Sequence, residues 1–179
     1  MARTDTLTNF LTDVAAAIKA KRGDTTDIPA ANFDTEIANL PSGDNSVLKS
    51  MIERTATSVE IPNDVTAIGD YAFYGYKNLE SITIPDSVTS IGYGAFSKCE
   101  SLASITIPSS VESIGDNAFY DCWSLLEVDF SAHTSIPSIE YQTFWGIPNA
   151  CTIKVPSALL DEWKAATYWN ELNCNFVGV

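Results

Sequence analysis

The stretch "IPDSVTSIGYGAFSKCESLASIT", residues 84–106, decides the fold because the chain repeats it on both sides. It is preceded by "IPNDVTAIGDYAFYGYKNLESIT", residues 61–83, and followed by "IPSSVESIGDNAFYDCWSLLEVDF", residues 107–130. The middle copy is identical to each neighbour at 12 of 23 positions, far more than unrelated segments would share. Self-similarity at a fixed period of this length indicates a solenoid, in which each coil stacks on the next.

The apolar positions within one copy predict the shape of a coil. Ile82 and Ile84 alternate with Ser81 and Thr83, so a short strand should bury the first pair and expose the second. Downstream, a glycine bend and an Ala-Phe pair should turn the chain and send the ring of Phe96 inward. One coil cannot bury these side chains alone, but stacked coils can.

A degenerate fourth copy follows the three clear ones. Ile139, Phe144, Ile153 and Val155 continue the apolar columns, although two residues are inserted around "SAHTSIPS", residues 131–138. This copy lacks the IG and AF pairs, so local repacking is expected there. The sequence thus predicts an α+β fold: about four 23-residue coils between an N-terminal α-helical hairpin and a C-terminal capping helix.

Both ends of such a stack need caps, because open strand edges pair with other chains. At the C-terminal end, "VPSALLDEWKAATYWNEL" predicts a helix over about residues 157–171 with Ser157 as its N-cap, followed by a final strand at Phe176 and Val177. Its tryptophans are expected in the core. Residues 46–60 are predicted to form the N-terminal cap, so the repeat domain would span residues 42–179 with caps at 46–60 and 157–179.

The first 41 residues predict a separate helical hairpin, because apolar residues recur there at helical spacing. Two helices of this length bury too little to be stable alone, so they should anchor the chain or mediate oligomerisation. The residues predicted to do so are Leu7, Phe10, Leu11, Val14, Ile18, Phe33 and Ile37.

The repeat resembles a known family. The pattern "IP-x-x-V-x-x-IG-x-x-AF-x-x-C-x-x-L-x-x-I" in residues 84–105 is similar to the BspA-type leucine-rich repeat, which occurs in bacterial surface proteins, some protozoan surface proteins and phage structural proteins. The likeness covers residues 57–156 and departs from the pattern at Tyr76, where Cys or Asn is usual. It implies recognition or adhesion rather than catalysis.

A second resemblance covers residues 7–40, where a helix, an "I-x-P-x-x-F" motif and another helix are similar to the module that opens many phage fibre and baseplate proteins. It implies a virion component assembled in the bacterial cytoplasm: a tail fibre, baseplate or head fibre subunit. Its partners would be other virion proteins and copies of itself, for example in a trimer. The alternative is a bacterial surface adhesin, extracellular, or a cytoplasmic interaction module.

Charge excludes one class of partner. The formal net charge is −13 with a pI of about 4.2, whereas nucleic-acid binding needs clustered cations. Residues 57–156 carry 12 acids against 3 bases, so the acidity lies mainly in the repeats. We expect neither membrane insertion nor a secretory signal at the N-terminus, because no uninterrupted apolar run follows a basic start there.

Two surfaces are candidates for binding a host cell-surface glycan or protein. The first consists of the hydroxyl and acidic columns that face outward from the predicted strands. The second is a column of aromatic residues in the turns, whose faces suit sugar rings. The residues concerned are Ser81, Thr83, Ser104, Thr106, Glu127 and Asp129 in the first, and Tyr74, Tyr120 and Trp145 in the second.

The residue inventory favours no catalytic, metal or cofactor site. Glu127 and Asp129 would lie about 7 Å apart on one strand, a spacing that glycoside hydrolysis can use, but a flat sheet face has no cleft to desolvate an acid. His133 is the only histidine, which disfavours a zinc site or a nucleophile triad. Cys99 and Cys122 should stack as buried thiols.

Overall fold

The structure is a computed structural model that describes residues 54–179. The predicted hairpin, residues 1–41, and the first part of the predicted N-terminal cap lie outside the described residues. The anchoring residues proposed from the sequence therefore remain predictions.

The described chain is built mainly of short strands separated by turns. A 3₁₀ turn (Ser157–Leu159), one α-helix, α1 (Leu160–Ala165), and a second 3₁₀ turn (Trp169–Glu171) separate the last two strands. The strands are β1 (Ser58–Glu60), β2 (Ala67–Ile68), β3 (Ser81–Thr83), β4 (Ser90–Ile91), β5 (Ser104–Thr106), β6 (Ser113–Ile114), β7 (Glu127–Asp129), β8 (Ser138–Ile139), β9 (Thr152–Val155) and β10 (Asn175–Gly178).

Every strand pairing in the described residues is parallel, as a solenoid requires. On one side, β1 pairs with β3, and β5, β7, β9 and β10 form a four-stranded sheet; β3 packs next to β5 across a break between the two. On the other side, β2, β4, β6 and β8 form a second sheet. Residues pair at the repeat spacing, for example Ile91 with Ile114. Each of the first four coils therefore contributes one strand to each side.

A column of phenylalanine rings fills the interior, as the sequence predicts. Phe73 and Phe96 stack with centroids 5.2 Å apart, and Phe96 stacks on Phe119 at the same distance. Phe144 of the degenerate copy continues the column at 5.1 Å. The first three rings are fully buried. The predicted alternation is confirmed too, because Ile82 is buried while the residues on either side of it are exposed.

The glycines of the second and third IG pairs lie where two coils bring their backbones together. A Cβ added to Gly92 would lie 2.7 Å from the backbone nitrogen of Asp70, and one added to Gly115 would lie 2.8 Å from that of Tyr93. Real Cβ contacts are not this short, so glycine is required at both positions for steric reasons.

In the fourth coil, Glu140 and Thr143 replace the repeated glycine and alanine. The Thr143 hydroxyl accepts a hydrogen bond from the Glu140 backbone nitrogen and donates one to the Gly115 carbonyl of the preceding coil. Thr143 is fully buried, and these two hydrogen bonds satisfy its hydroxyl at a position where the other copies have alanine. The expected repacking occurs here.

The sequence predicts about four coils, and the structure extends this count. The strands β1, β3, β5, β7 and β9 come from five successive coils, and β10 adds a sixth strand beside β9. The extra tiers come from the segments that the sequence assigns to the caps. Residues 58–60 of the predicted N-terminal cap form the first strand, and Phe176 and Val177 lie in the last one, as predicted.

The predicted continuous helix over residues 157–171 is wrong. The α-helix covers only Leu160–Ala165; Ala166 is then extended and Tyr168 has a left-handed backbone with φ 64°. Ser157 is not a side-chain N-cap either: its hydroxyl bonds to the Val179 carbonyl instead.

The physical reason for the break is the burial of two tryptophans on one coil. Trp163 and Trp169 are both buried and lie 4.7 Å apart, each within 5.3 Å of the Phe130 ring. Residues six apart point about 120° away from each other on a continuous helix, because six residues turn through about 600°. The chain must therefore bend to bring both rings to the same surface, and the expectation that they belong to the core is confirmed.

The repeated cysteine column is buried as predicted. The Cys99 and Cys122 thiols donate to the carbonyls of Phe73 and Phe96, at 3.2 and 3.1 Å. Burial raises the pKa of Cys99 to about 12. Tyr76 takes the cysteine position in the first copy and packs edge-on against Phe73, with centroids 5.4 Å apart.

Replacing Phe96 with alanine should destabilise the array by about 3–5 kcal/mol, because it empties a fully buried ring from the middle of the stack. Urea or thermal unfolding of the full chain measures the change. The matched control is Trp123→Ala, since Trp123 is 58% exposed and its loss should change stability by less than about 0.5 kcal/mol. Equal effects of the two changes would contradict the placement of Phe96.

The stability of the protein should fall as the pH drops below the ordinary pKa of a histidine side chain. His133 is buried against Phe130 and Trp163, and within residues 54–179 neither ring nitrogen makes a hydrogen bond of good geometry. Burial lowers the pKa of His133 below 6.5, although nearby carbonyls of Val111 and Phe130 partly oppose this. The unfolded chain therefore binds the proton first, and stability is lost as pH falls below about 6.5.

The measurement is thermal unfolding of the wild type and of His133→Phe between about pH 8 and about pH 5. Phenylalanine suits the aromatic surroundings and cannot titrate, so the variant should lose less stability over this range. Carboxylates contribute equally to both proteins. Parallel pH profiles for the two proteins would show that His133 is not responsible.

Candidate binding surfaces

The outer face of the β1, β3, β5, β7 and β9 strands, called the sheet face below, is polar throughout. Its two columns follow the predicted continuation, because Ser104 pairs with Glu127 and Thr106 pairs with Asp129. Five strands thus place ten polar side chains in two parallel rows. The rows contain Ser58, Ser81, Ser104, Glu127 and Thr152 in one, and Glu60, Thr83, Thr106, Asp129 and Lys154 in the other.

Charge is concentrated toward the C-terminal half of the sheet face. The Lys154 ammonium lies 2.8 Å from the Glu127 carboxylate, and this contact raises the pKa of Lys154. Asp129 accepts a hydrogen bond from the Ser131 backbone nitrogen at 2.8 Å and pairs in register with Lys154, so one ammonium is shared between two carboxylates. The N-terminal half presents hydroxyl groups and Glu60.

The predicted aromatic column does not form one continuous surface. Tyr74 and Tyr120 are half-buried and Trp145 is 52% exposed, but Ser97 between the first two is buried. The column therefore divides into separate aromatic groups at its two ends.

At the N-terminal end, three tyrosines pack edge to face. The Tyr71 ring centroid lies 5.2 Å from that of Tyr93 and 5.8 Å from that of Tyr74. Asn117 donates to the Tyr93 hydroxyl at 2.9 Å, so this group is held in place by the next coil. The rings pack against one another, and no cleft separates them.

At the C-terminal end, the aromatic residues surround a groove of about 390 Å³, called the cap groove below. It lies between the turn that carries Tyr141 and Trp145 and the cap segment that carries Tyr168. Tyr141 and Trp145 are 57% and 52% exposed. The Tyr141 ring centroid is 6.3 Å from that of Trp145 and 6.2 Å from that of Tyr168.

The cap groove also presents polar groups. The side chains of Asn149, Glu171 and Asn173 line it, all three residues are exposed, and none of these side chains has a hydrogen bond or ion pair within residues 54–179. Apolar lining comes from Phe144, Ile147 and Leu172. The groove thus combines aromatic faces with hydrogen-bonding groups that have no partner in the described protein.

A thiol pair lies beside the cap groove. Cys174 lines the groove and is half-buried, whereas Cys151 is buried on the neighbouring strand. A hydrogen bond between the two thiols raises the pKa of Cys151, together with burial, and lowers the pKa of Cys174. The accessible thiol of the described chain is therefore also the more acidic of the pair.

The sequence candidates include six of the ten sheet-face residues but miss the cap groove. Of the groove residues, only Trp145 was a site candidate. Tyr168 and Asn173 lie in the segment interpreted as a continuous helix, where nothing indicated that they would approach Trp145. Thr167 has a β-branched side chain, which disfavours helix, and it was a local indication that the helix ends before residue 171.

The described residues contain neither a metal-binding cluster nor a membrane-spanning helix. In residues 54–179, no three of the histidine, cysteine, aspartate and glutamate side chains cluster closely enough to hold a metal ion. None of the helices in this part of the chain has the length and apolar character that crossing a bilayer requires.

Solved structures that are similar to this chain come from several bacteria. A leucine-rich repeat protein from Bacteroides ovatus is 29% identical with a TM-score of 0.57, and the match covers 73% of this chain and 31% of that one. A leucine rich cell surface protein from Faecalibacterium prausnitzii is 25% identical (TM-score 0.47; 69% and 30% covered). The T. pallidum leucine rich repeat protein is 31% identical (TM-score 0.48; 58% and 48% covered).

The chain therefore spans less than half the length of each of these three proteins. Among curated proteins, none matches it. The sequence profile described as "BspA type Leucine rich repeat region (6 copies)" matches residues 51–174, more than half of the chain. Together with the stacked parallel coils, this match establishes that the chain belongs to the BspA-type leucine-rich repeat family.

Proposed function

We propose that this chain is a non-enzymatic recognition module that binds a protein partner through the sheet face. The observation that supports the proposal most directly is the pair of polar rows that extends over five adjacent strands. A broad, regular surface of exposed hydroxyl and carboxylate groups offers many hydrogen bonds to a second macromolecule but no enclosed site for chemistry.

The charge of the repeats indicates the kind of partner. Residues 57–156 carry 12 acids and 3 bases, and on the sheet face the single cation Lys154 lies beside two carboxylates, Glu127 and Asp129. Opposite charge on a partner would speed association and select against acidic proteins. We therefore infer a partner with a basic surface patch.

Family membership supports the same reading. Leucine-rich repeat families are typically protein-interaction modules, and the BspA-type resemblance implies adhesion or recognition at a bacterial surface. A bacterial surface adhesin, the alternative drawn from the sequence, is thus the better supported setting. Because the chain spans 31% of the Bacteroides ovatus protein, the activity of a whole surface protein remains a proposal for this one.

A virion role is the second candidate. It rests on the resemblance of residues 7–40 to the opening module of phage fibre and baseplate proteins, and no comparison supports it. In this setting the sheet face would bind a host surface or a neighbouring virion protein, and residues 1–41 would attach the chain to the particle. Capsid and tail genes beside the coding sequence would favour this setting over an adhesin.

Binding of a lysine-rich decapeptide tests the sheet face. The double variant Glu127→Gln with Asp129→Asn should weaken binding about fivefold, because two exposed charges contribute about 0.5 kcal/mol each. NMR titration of the full chain measures the affinity. The same titration should shift the amide signals of the strands of the sheet face.

The matched control is Asp161→Asn with Glu162→Gln, which removes two exposed acids from the C-terminal cap and leaves the sheet face intact. This variant should bind the peptide as the wild type does. Equal weakening in both double variants would mean that net charge alone drives binding, and would refute a specific sheet face.

Deleting residues 1–41 tests the predicted anchor. The shortened chain should remain folded, because the stacked coils bury their own core, but it should lose any self-association of the full chain. Sedimentation and circular dichroism of both proteins give the two readouts. An unchanged oligomeric state would refute the anchoring role of the hairpin and weaken the virion candidate.

A further inference from the structure

We propose that the cap groove binds one neutral pyranose sugar unit of a glycan. This site is separate from the sheet face, and its ligand class differs from the protein partner proposed above. The inference rests on four properties of the groove: its volume, the arrangement of its aromatic rings, its unpartnered polar groups and its charge.

The volume and the lining suit a small organic ligand. Small-molecule sites measure about 300–1,000 Å³ and combine apolar and aromatic walls with a few polar groups. The cap groove, at about 390 Å³, lies at the lower end of this range, so its ligand has the size of a single ring with part of a neighbouring unit. An extended peptide or a folded partner would need a larger surface.

The aromatic rings favour a saturated ring over a flat one. The Tyr141 plane is inclined by 44° to Trp145 and by 67° to Tyr168, so the rings diverge around the groove rather than forming a parallel slot. A planar base would need parallel faces on which to stack. A pyranose instead directs C–H groups from its two faces, and these are attracted to the negative faces of aromatic rings.

The polar groups match the hydroxyls of a sugar. Asn149 and Asn173 each offer two N–H donors and a carbonyl acceptor, and Glu171 offers two acceptor oxygens. These side chains bond to no other group within residues 54–179, so they can bond to a ligand without breaking a contact in the described structure. The adjacent hydroxyl groups of a sugar both donate and accept hydrogen bonds, so they complement these side chains.

The negative charge of the groove favours a neutral sugar over an acidic one. Among residues 54–179, Glu171 is the only carboxylate that lines the groove, and no lysine or arginine of this range lines it. A sugar carrying a carboxylate, phosphate or sulfate would meet this negative charge without a compensating cation. The net charge of −13 adds to the repulsion.

The backbone holds Tyr168 at the groove. This residue reaches the groove from a left-handed conformation with φ 64°. Trp169 beside it is fixed in the core by its indole hydrogen bond to the Pro137 carbonyl at 3.1 Å. The ring of Tyr168 is therefore attached to a rigid neighbour and preorganised for contact.

The test is titration of the full chain with the methyl glycosides of glucose, galactose, mannose and N-acetylglucosamine. Tryptophan fluorescence and saturation-transfer NMR report binding, and at least one neutral glycoside should bind with a Kd of about 1 mM or a few-fold weaker. Trp145→Ala should weaken that binding at least tenfold, and Asn173→Ala several-fold. Trp123→Ala is the matched control, because Trp123 is as exposed as Trp145 but does not line the groove.

A second readout uses the accessible thiol. Cys174 should react with iodoacetamide faster than the three buried cysteines, and the bound glycoside should slow its alkylation. The protection should disappear in Trp145→Ala and persist in Trp123→Ala.

Three results would overturn the proposal: no binding of any neutral glycoside up to about 100 mM, equal loss of binding in both tryptophan variants, or tighter binding of glucuronic acid than of the neutral sugars. The double variant Glu127→Gln with Asp129→Asn should retain sugar binding unchanged. Its result separates failure of the cap groove from failure of the sheet face.

Discussion

The spacing between successive coils is the constraint on which the structure depends. Paired strands lie about 4.8 Å apart, so every side chain meets its own counterpart one period away. Where backbone meets backbone, as between Gly92 and Asp70, only glycine fits; where ring meets ring, a phenylalanine column with centroids 5.1–5.2 Å apart fills the space. The period in the sequence is therefore a steric consequence of stacking. The two inserted residues of the fourth copy are accommodated in the loop that contains His133, which leaves the register of β6 with β8 intact.

The same constraint explains why the C-terminal end differs from the repeats. The last coil has no further copy to cover it, so the chain must bury Phe130 and Phe144 with unrelated side chains. Trp163 and Trp169 do this from two short helical segments, and the bend between them brings Tyr168 alongside Tyr141. The cap groove thus results from ending a regular stack with an irregular segment. Its residues follow no column, because no other coil has to match them.

This contrast decides what the sequence could predict. The strand alternation, the phenylalanine column, the sheet face and the buried thiols all repeat, and three aligned copies give each position three independent indications. The cap occurs once. Its apolar spacing fits a continuous helix, and only the requirement that Trp163 and Trp169 reach the same coil prevents one. The contact of Tyr168 with the Tyr141 turn depends on that three-dimensional requirement, so the local pattern could not indicate it.

The two proposed surfaces consequently respond differently to the length of an array. Each added coil extends the sheet face by one strand with two outward side chains, so weak contacts along it accumulate with coil number. The cap groove exists once per array, at the end where stacking stops. A single groove that contributes millimolar affinity cannot hold a partner alone, but it raises the overall affinity when the sheet face is engaged at the same time. A receptor that carries both a basic protein surface and a neutral glycan would satisfy both sites, provided that its geometry lets it reach both at once.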